Sequence, residues 1–136
     1  MPTRKAEAKW NGDLKSGNGV MKVGSGAFEG SYSFSSRFEN GEGTNPEELI
    51  GAALAGCFSM SLSHELTGAG YEPKSTATNA DVHFEKGIKE ITLNTQVEVS
   101  GVSDDEFQKI AEGARKNCHV SRALTGTTIS LNAKMI

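Results

Sequence analysis

The apolar and polar positions fall into three stretches. Short alternating runs broken by glycines come first, a long run without charge follows, and strand and helix patterns mix at the end. Residues 6–10, 19–23 and 27–38 alternate over short spans between glycine turns, which predicts three strands. In the third, Tyr32, Phe34 and Ser36 share one face while Ser33, Ser35 and Arg37 share the other, so Arg37 is expected at a strand end. A polar loop with Gly41 and Gly43 then leads to the strongest helix signal. Asn45 can cap it, Pro46 suits the first helical position, and Glu48 falls where a capping box wants an acid. Leu49, Ile50, Leu54, Cys57, Phe58, Leu62 and Leu66 keep three-to-four spacing, and no Asp, Glu, Lys or Arg lies between Glu48 and Glu65. Such a helix is expected to be mostly buried. Gly68 and Gly70 can end it.

Two further strands are predicted over 75–84 and 90–100, with Lys86-Gly87 in the turn between them. Ser103 and Glu106 open a second helix whose apolar face is Phe107, Ile110, Ala111 and Ala114, ending near Asn117. Residues 127–135 alternate again as a last strand. The fold class expected is α+β: antiparallel sheets around one long buried cysteine-bearing helix, with a second, amphipathic helix.

Composition narrows this to one domain, 1–136, with a thin core. Apolar residues make up 36% and there are 16 glycines, so burial in an oligomer would help. A net charge of −3 and scattered Lys and Arg residues give no field for nucleic acid or an anionic membrane surface. No stretch is read as approaching the roughly 18 apolar residues of a membrane span. Residues 1–10 lack an apolar leader core, so the cytoplasm is expected. The two cysteines, Cys57 and Cys118, form no CxxC pair, and His64, His83 and His119 are dispersed. Neither a metal nor an organic cofactor is expected. In a reducing compartment a disulfide between two such cysteines would be transient, and catalytic or redox-sensing.

Four residues could carry chemistry, each beside a plainer role. Cys57 in a buried helix can simply be a small hydrophobe. Its alternative is a peroxidatic thiolate, whose sulfenic acid product needs a second thiol before further oxidation, and Cys118 could supply it. Mid-helix, Cys57 gains little from the helix dipole and would need an external cation. Arg37 could serve, since its planar fork can hold a thiolate, a peroxide oxygen and a carboxylate together; it could equally be a surface charge. Glu47 is either a first-turn acid that favours the helix N-terminus or the partner that fixes Arg37. Glu47 and Cys57 are about ten residues apart on one helix, which is about 15 Å along its axis. A Glu–Arg pair cannot easily serve a thiolate that far away in the same chain. Two copies of the helix packed antiparallel would bring the start of one beside the middle of the other. The crossing would fall near Ala52, where Gly51 with Ala55 and Ala52 with Gly56 allow close approach. A symmetric dimer with shared sites follows as the expectation.

The segments Ser36-Arg37-Phe38-Glu39, Gly43-Thr44-Asn45-Pro46-Glu47-Glu48-Leu49-Ile50-Gly51-Ala52-Ala53 and Ala55-Gly56-Cys57-Phe58-Ser59-Met60 resemble the osmotically inducible branch of the OsmC/Ohr peroxidase family. Cys118-His119-Val120-Ser121 resembles its second-cysteine motif, and Ala8-Lys9-Trp10-Asn11-Gly12-Asp13 fits as well. The resemblance covers essentially the whole chain. It implies an intertwined homodimer that reduces organic hydroperoxides and hydrogen peroxide in stress defence. Cys57 would be peroxidatic, Cys118 resolving, and Arg37 with Glu47 activating. An external dithiol, of the lipoyl type for some members, would be the reductant. The family's usual proline after the second cysteine is His119 here. That histidine could loosen the resolving geometry, favour the Cys118 thiolate, or simply face solvent. Two rival functions remain. One is a cysteine hydrolase, which would need a histidine base, although His64 lies about two turns from Cys57. The other is a non-catalytic dimeric protein sheltering an apolar ligand.

Overall fold

The computed structural model describes residues 1–136, whose contacts gather into two units, Met1–Leu49 and Ile50–Ile136. In the first, β1 (Ala6–Asn11), β2 (Asn18–Val23) and β3 (Glu29–Tyr32) form an antiparallel meander. The rings of Trp10 and Tyr32 lie 5.3 Å apart, flanking Gly19 of β2. A Cβ there would come within 2.6 Å of the Tyr32 ring and 2.7 Å of Trp10, so only glycine leaves room for both.

The strand expected to run on to Phe38 stops at Tyr32. Residues Phe34–Phe38 are instead a short helix, α1. Ser33 caps it, its side chain accepting from the Ser36 N–H at 3.1 Å, while the Ser36 hydroxyl accepts from the Ser33 N–H at 2.8 Å. These local bonds overrode the alternation of Phe34, Ser36 and Phe38, and they place Arg37 in a helical last turn. The following loop returns across β3, its Thr44 N–H donating to the Ser31 carbonyl at 2.8 Å. Gly43 makes that approach at φ 117°, and a Cβ on it would stand 2.6 Å from the Ser31 oxygen.

The long helix α2 (Pro46–Gly68) starts in this unit and continues through the second. Asn45 caps it, Oδ1 accepting from the Glu48 N–H at 2.7 Å. The Glu48 carboxylate does not close a box on Asn45; it accepts from the Thr44 hydroxyl at 2.7 Å. Within the second unit Leu54, Phe58, Leu62 and Leu66 are fully buried, and Gly51 packs toward Val82. Each such leucine or phenylalanine contributes about 1.5–3 kcal/mol of burial. The expectation of a mostly buried helix holds for this stripe only. Ala52, Ala53, Gly56 and Met60 are exposed, Met60 to 77%. Of the two small pairs, Gly51 is turned inward, and Ala52 with Gly56 shares the uncovered face. Contrary to expectation, α2 has the length and apolarity of a membrane span, with a hydropathy of 1.2 over 18 residues. Its buried stripe is the packing of a core helix.

Behind that stripe stands a sheet of β4 (Ser75–Phe84), β5 (Ile88–Glu98) and β6 (Thr128–Met135), in that order. β4 and β5 are antiparallel, but β5 and β6 are parallel, pairing Leu93 with Leu131, where an all-antiparallel arrangement was expected. Alternation encodes which face a residue takes and leaves strand direction open. The connection through α3 (Asp104–Asn117) and α4 (His119–Ala123) is the crossover that parallel pairing requires. Ser103 caps α3 as predicted, with the Glu106 N–H donating to its Oγ at 3.2 Å. The Glu106 carboxylate goes elsewhere, accepting from the Tyr71 hydroxyl at 2.7 Å. Ile91, Leu93 and Val97 of β5 meet Phe107, Ala111 and Ala114 of α3 in one cluster with the α2 stripe. A chain of hydroxyls ties helix to sheet. Ser59 donates to Thr78 at 2.7 Å, Thr78 and Thr95 are 2.8 Å apart, and Thr95 donates to the Ala77 carbonyl at 3.2 Å.

Candidate active site

Arg37 leaves the last turn of α1 and Glu47 the first turn of α2, and two bonds hold these turns together. The Ser36 hydroxyl donates to the Thr44 carbonyl at 2.8 Å, and the Asn45 amide donates to the Ser36 carbonyl at 3.2 Å. Across this junction the guanidinium grips the carboxylate side-on. Arg37 Nε donates to Oε1 at 3.0 Å and Oε2 at 3.1 Å, and Nη2 donates to Oε2 at 2.8 Å. Glu47 is 5% exposed. Its charge is out of water and needs this cation. The Arg37 side chain is 39% exposed and its Nη1 has no protein partner. Hydrogen bonds to Glu47 push the Arg37 pKa above its already high value, with burial opposing. The Phe38 ring lies under the guanidinium, 4.9 Å from Cζ to ring centroid. With Trp10, Leu14, Tyr32, Phe34 and Phe38, Arg37 walls a cavity of about 220 Å³ in the first unit. One cation set in an aromatic wall suits a ligand with an apolar body and a polar oxygen.

Both cysteines belong to the second unit, and both are free thiols. Cys57, on α2, is half-buried and packs against the hydrophobic cluster of which Cys118 is a member. Cys118 is 2% exposed and sits where α3 ends and α4 begins. Its N–H donates to the Ala114 carbonyl at 3.0 Å, closing α3. Its sulfur caps α4, accepting from the Ser121 N–H at 3.3 Å and donating to Ser121 Oγ at 3.0 Å. His119 is therefore the first residue of α4 and is exposed. Proline is favoured at that position because the N–H there has no helical acceptor. Here the thiol cap starts the helix without it.

The structure thus joins Arg37 to Glu47, as expected, and sets the two thiols in one cluster. His64, the base weighed for a hydrolase, is exposed on α2. Sequence reasoning gave no role to Ser121, although it stands three residues after Cys118 at the spacing of a cap acceptor and its donor. It also left Trp10 and Phe34 as strand residues, because their meeting at Arg37 depends on the α1 turn.

The model of the OsmC-like protein family matches residues 39–132. The chain is 44% identical over 127 residues to "Peroxiredoxin OsmC" of Escherichia coli strain K12, covering 89% of each chain. Among solved structures it resembles an OsmC-like protein from Mycoplasma pneumoniae with a TM-score of 0.78 at 14% identity, covering 99% of this chain and 98% of that one. It also resembles an organic hydroperoxide resistance protein OsmC from Legionella pneumophila, with a TM-score of 0.71 at 20% identity over the whole of both chains. At these identities the two structures speak to the fold alone.

Proposed function

This chain belongs to the OsmC-like protein family, and from that membership we infer that it is a cysteine-based peroxidase reducing hydroperoxides at the expense of a thiol reductant. We propose that Cys57 is the peroxidatic cysteine, Cys118 the resolving one, and Arg37 with Glu47 the activating pair. The observation that carries the roles is the Arg37–Glu47 clamp. A buried carboxylate fixes the guanidinium through three hydrogen bonds and leaves Nη1 free for a further anion. A thiolate and a peroxide oxygen are such acceptors.

The sites are shared in a homodimer. Glu47 and Cys57 stand about ten residues apart on α2, or about 15 Å of helix rise. A second, antiparallel copy of α2 brings the clamp of one subunit to the thiol of the other. The exposed face of Ala52, Ala53, Gly56 and Met60 supports this, because apolar helix surface is stabilised by a partner. The family match crosses the division between the two units, which supports reading 1–136 as one functional domain.

In the reaction the Cys57 thiolate attacks the terminal peroxide oxygen, and the O–O bond breaks. An alcohol or water leaves after taking a proton, and Cys57 becomes a sulfenic acid. Cys118 attacks that sulfur, the S–O bond breaks, water leaves, and a disulfide forms. An external dithiol, of the lipoyl type in keeping with the family resemblance, restores both thiols by exchange. The aromatic cavity beside Arg37 favours organic hydroperoxides, with hydrogen peroxide as a smaller substrate. Such a reductant supply and a redox-active cysteine pair suit a cytoplasmic enzyme of oxidative or osmotic stress defence.

Thiol titration with one equivalent of cumene hydroperoxide tests the roles. The native chain is expected to lose both thiols. Cys57→Ser should lose none and show no turnover. Cys118→Ser should consume about one equivalent and then stall. Peroxidase activity surviving in Cys57→Ser would overturn the assignment.

A further inference from the structure

The mechanism asks a buried sulfur to become an anion twice. Cys118 is a thiolate when it attacks the Cys57 sulfenic acid, and again when a reductant's attack on Cys57 expels it from the disulfide. Its surroundings are apolar, with Ala111, Ala114 and Phe107 in the same cluster. An unpaired charge in such a place is costly and needs donors aimed at it. One residue supplies two. The Ser121 N–H already points at Cys118 Sγ at 3.3 Å, and the Ser121 hydroxyl lies 3.0 Å from it, accepting from the S–H. Ser121 is itself 7% exposed, so little water competes for these bonds. A hydroxyl can rotate and change from acceptor to donor, whereas a carbonyl cannot.

A separate observation points the same way. Ser121 also lines a depression of about 240 Å³ whose wall includes Arg115, Lys116 and Arg122. Arg115 is held there by the Glu112 carboxylate and by donating to the Ile129 carbonyl at 3.2 Å. Three cations and one paired acid therefore stand on the Ser121 side of Cys118.

We propose that Ser121 is a catalytic residue of the second half-reaction, holding Cys118 as a thiol at rest and binding it as a thiolate through its N–H and rotated O–H. This rests on the resolving role proposed for Cys118. In the resting chain the S–H proton is donated to Ser121 Oγ. That proton first passes to solvent, and the serine hydroxyl turns to donate to the thiolate. Sγ then bonds to the Cys57 sulfur, the Cys57 S–O bond breaks, and the departing oxygen takes a proton from solvent and leaves as water. On reduction, a thiolate of the external dithiol bonds to Cys57, the Cys57–Cys118 bond breaks, and the electron pair stays on Cys118 Sγ, again met by the two donors until Sγ takes a proton from solvent. The reductant's second thiolate then breaks the mixed disulfide, freeing Cys57 and leaving the dithiol oxidised. Ser121 gains and loses no proton over the cycle.

Rapid mixing with one equivalent of cumene hydroperoxide, quenched at intervals with dimedone, separates the two steps. Peroxide loss reports oxidation of Cys57, and the decay of trappable sulfenic acid reports attack by Cys118. Ser121→Ala should leave peroxide loss within about twofold of native and prolong the sulfenic acid at least about tenfold, the scale of one hydrogen bond to a charged group. Ser121→Thr, which keeps the hydroxyl, should restore the native lifetime to within about threefold. An unchanged lifetime in Ser121→Ala would overturn the proposal, as would equal slowing of both steps or a threonine variant as slow as alanine. Failure of the peroxidase reading looks different, because the native chain itself would then form no sulfenic acid.

Discussion

Arginine at position 37 does what lysine could not. Its planar fork spends one edge on both oxygens of Glu47 and still presents Nη1. A lysine ammonium offers no second edge at fixed geometry. In Arg37→Lys the oxidation of Cys57 is expected to slow by about 10²-fold, in line with loss of a preorganised donor, with sulfenic acid decay unchanged. Stopped-flow peroxide consumption checks this; equal loss of both steps would point to damage elsewhere. The pH behaviour follows from the direction of the Arg37 shift. Its folded pKa lies above the unfolded value, so the stability that the Arg37 charge contributes is fully present below the unfolded pKa. It is lost only as pH rises through the raised folded value, beyond ordinary alkaline conditions. Any acid or alkaline limb in the native rate profile near neutrality therefore belongs to groups other than Arg37.

The elements set these residues by short-range rules and by contacts distant in sequence, and the two kinds were not equally legible. The caps at Asn45 and Ser103 could be read because cap chemistry is written within three or four residues. The cysteine helix and the Arg37–Glu47 pair could be read from charge placement and from motif. α1 was hidden because Phe34–Phe38 alternates like a strand while Ser33 and Ser36 bond to each other. The parallel β6 was hidden because period-two patterning is blind to direction. The hydroxyl chain from Ser59 to Thr95 could not be read, since it joins elements that meet only in the fold. One hydroxyl of this region stands outside that chain: Thr76 Oγ1 is buried with no hydrogen-bond partner. Replacing it with valine keeps the shape and removes an unsatisfied group, so Thr76→Val should stabilise the chain by about 1 kcal/mol. Urea unfolding reads this directly. A loss of stability would mean that the hydroxyl is paired in solution.

At the scale of the whole molecule, the uncovered face of α2 and the place of the clamp at its start belong to one explanation. A helix apolar on nearly all sides, with Met60 77% exposed, is the surface on which the proposed dimer would pair. An antiparallel pairing converts a separation of about 15 Å along one helix into proximity across two. The thin core implied by 16 glycines would gain from the proposed association.

Subunit complementation tests this most directly. Cys57→Ser and Arg37→Ala are each expected to be inactive as homodimers. If the guanidinium acts across the interface, a mixed dimer holds one site with both native groups and one with neither. Unfolded together and refolded at equal amounts, the pair should regain about a quarter of native activity, since about half of randomly formed dimers are mixed and each has one working site. If thiol and guanidinium of one subunit serve each other, every site in the mixture lacks one group. Mixed dimers with no recovered activity would contradict the shared site.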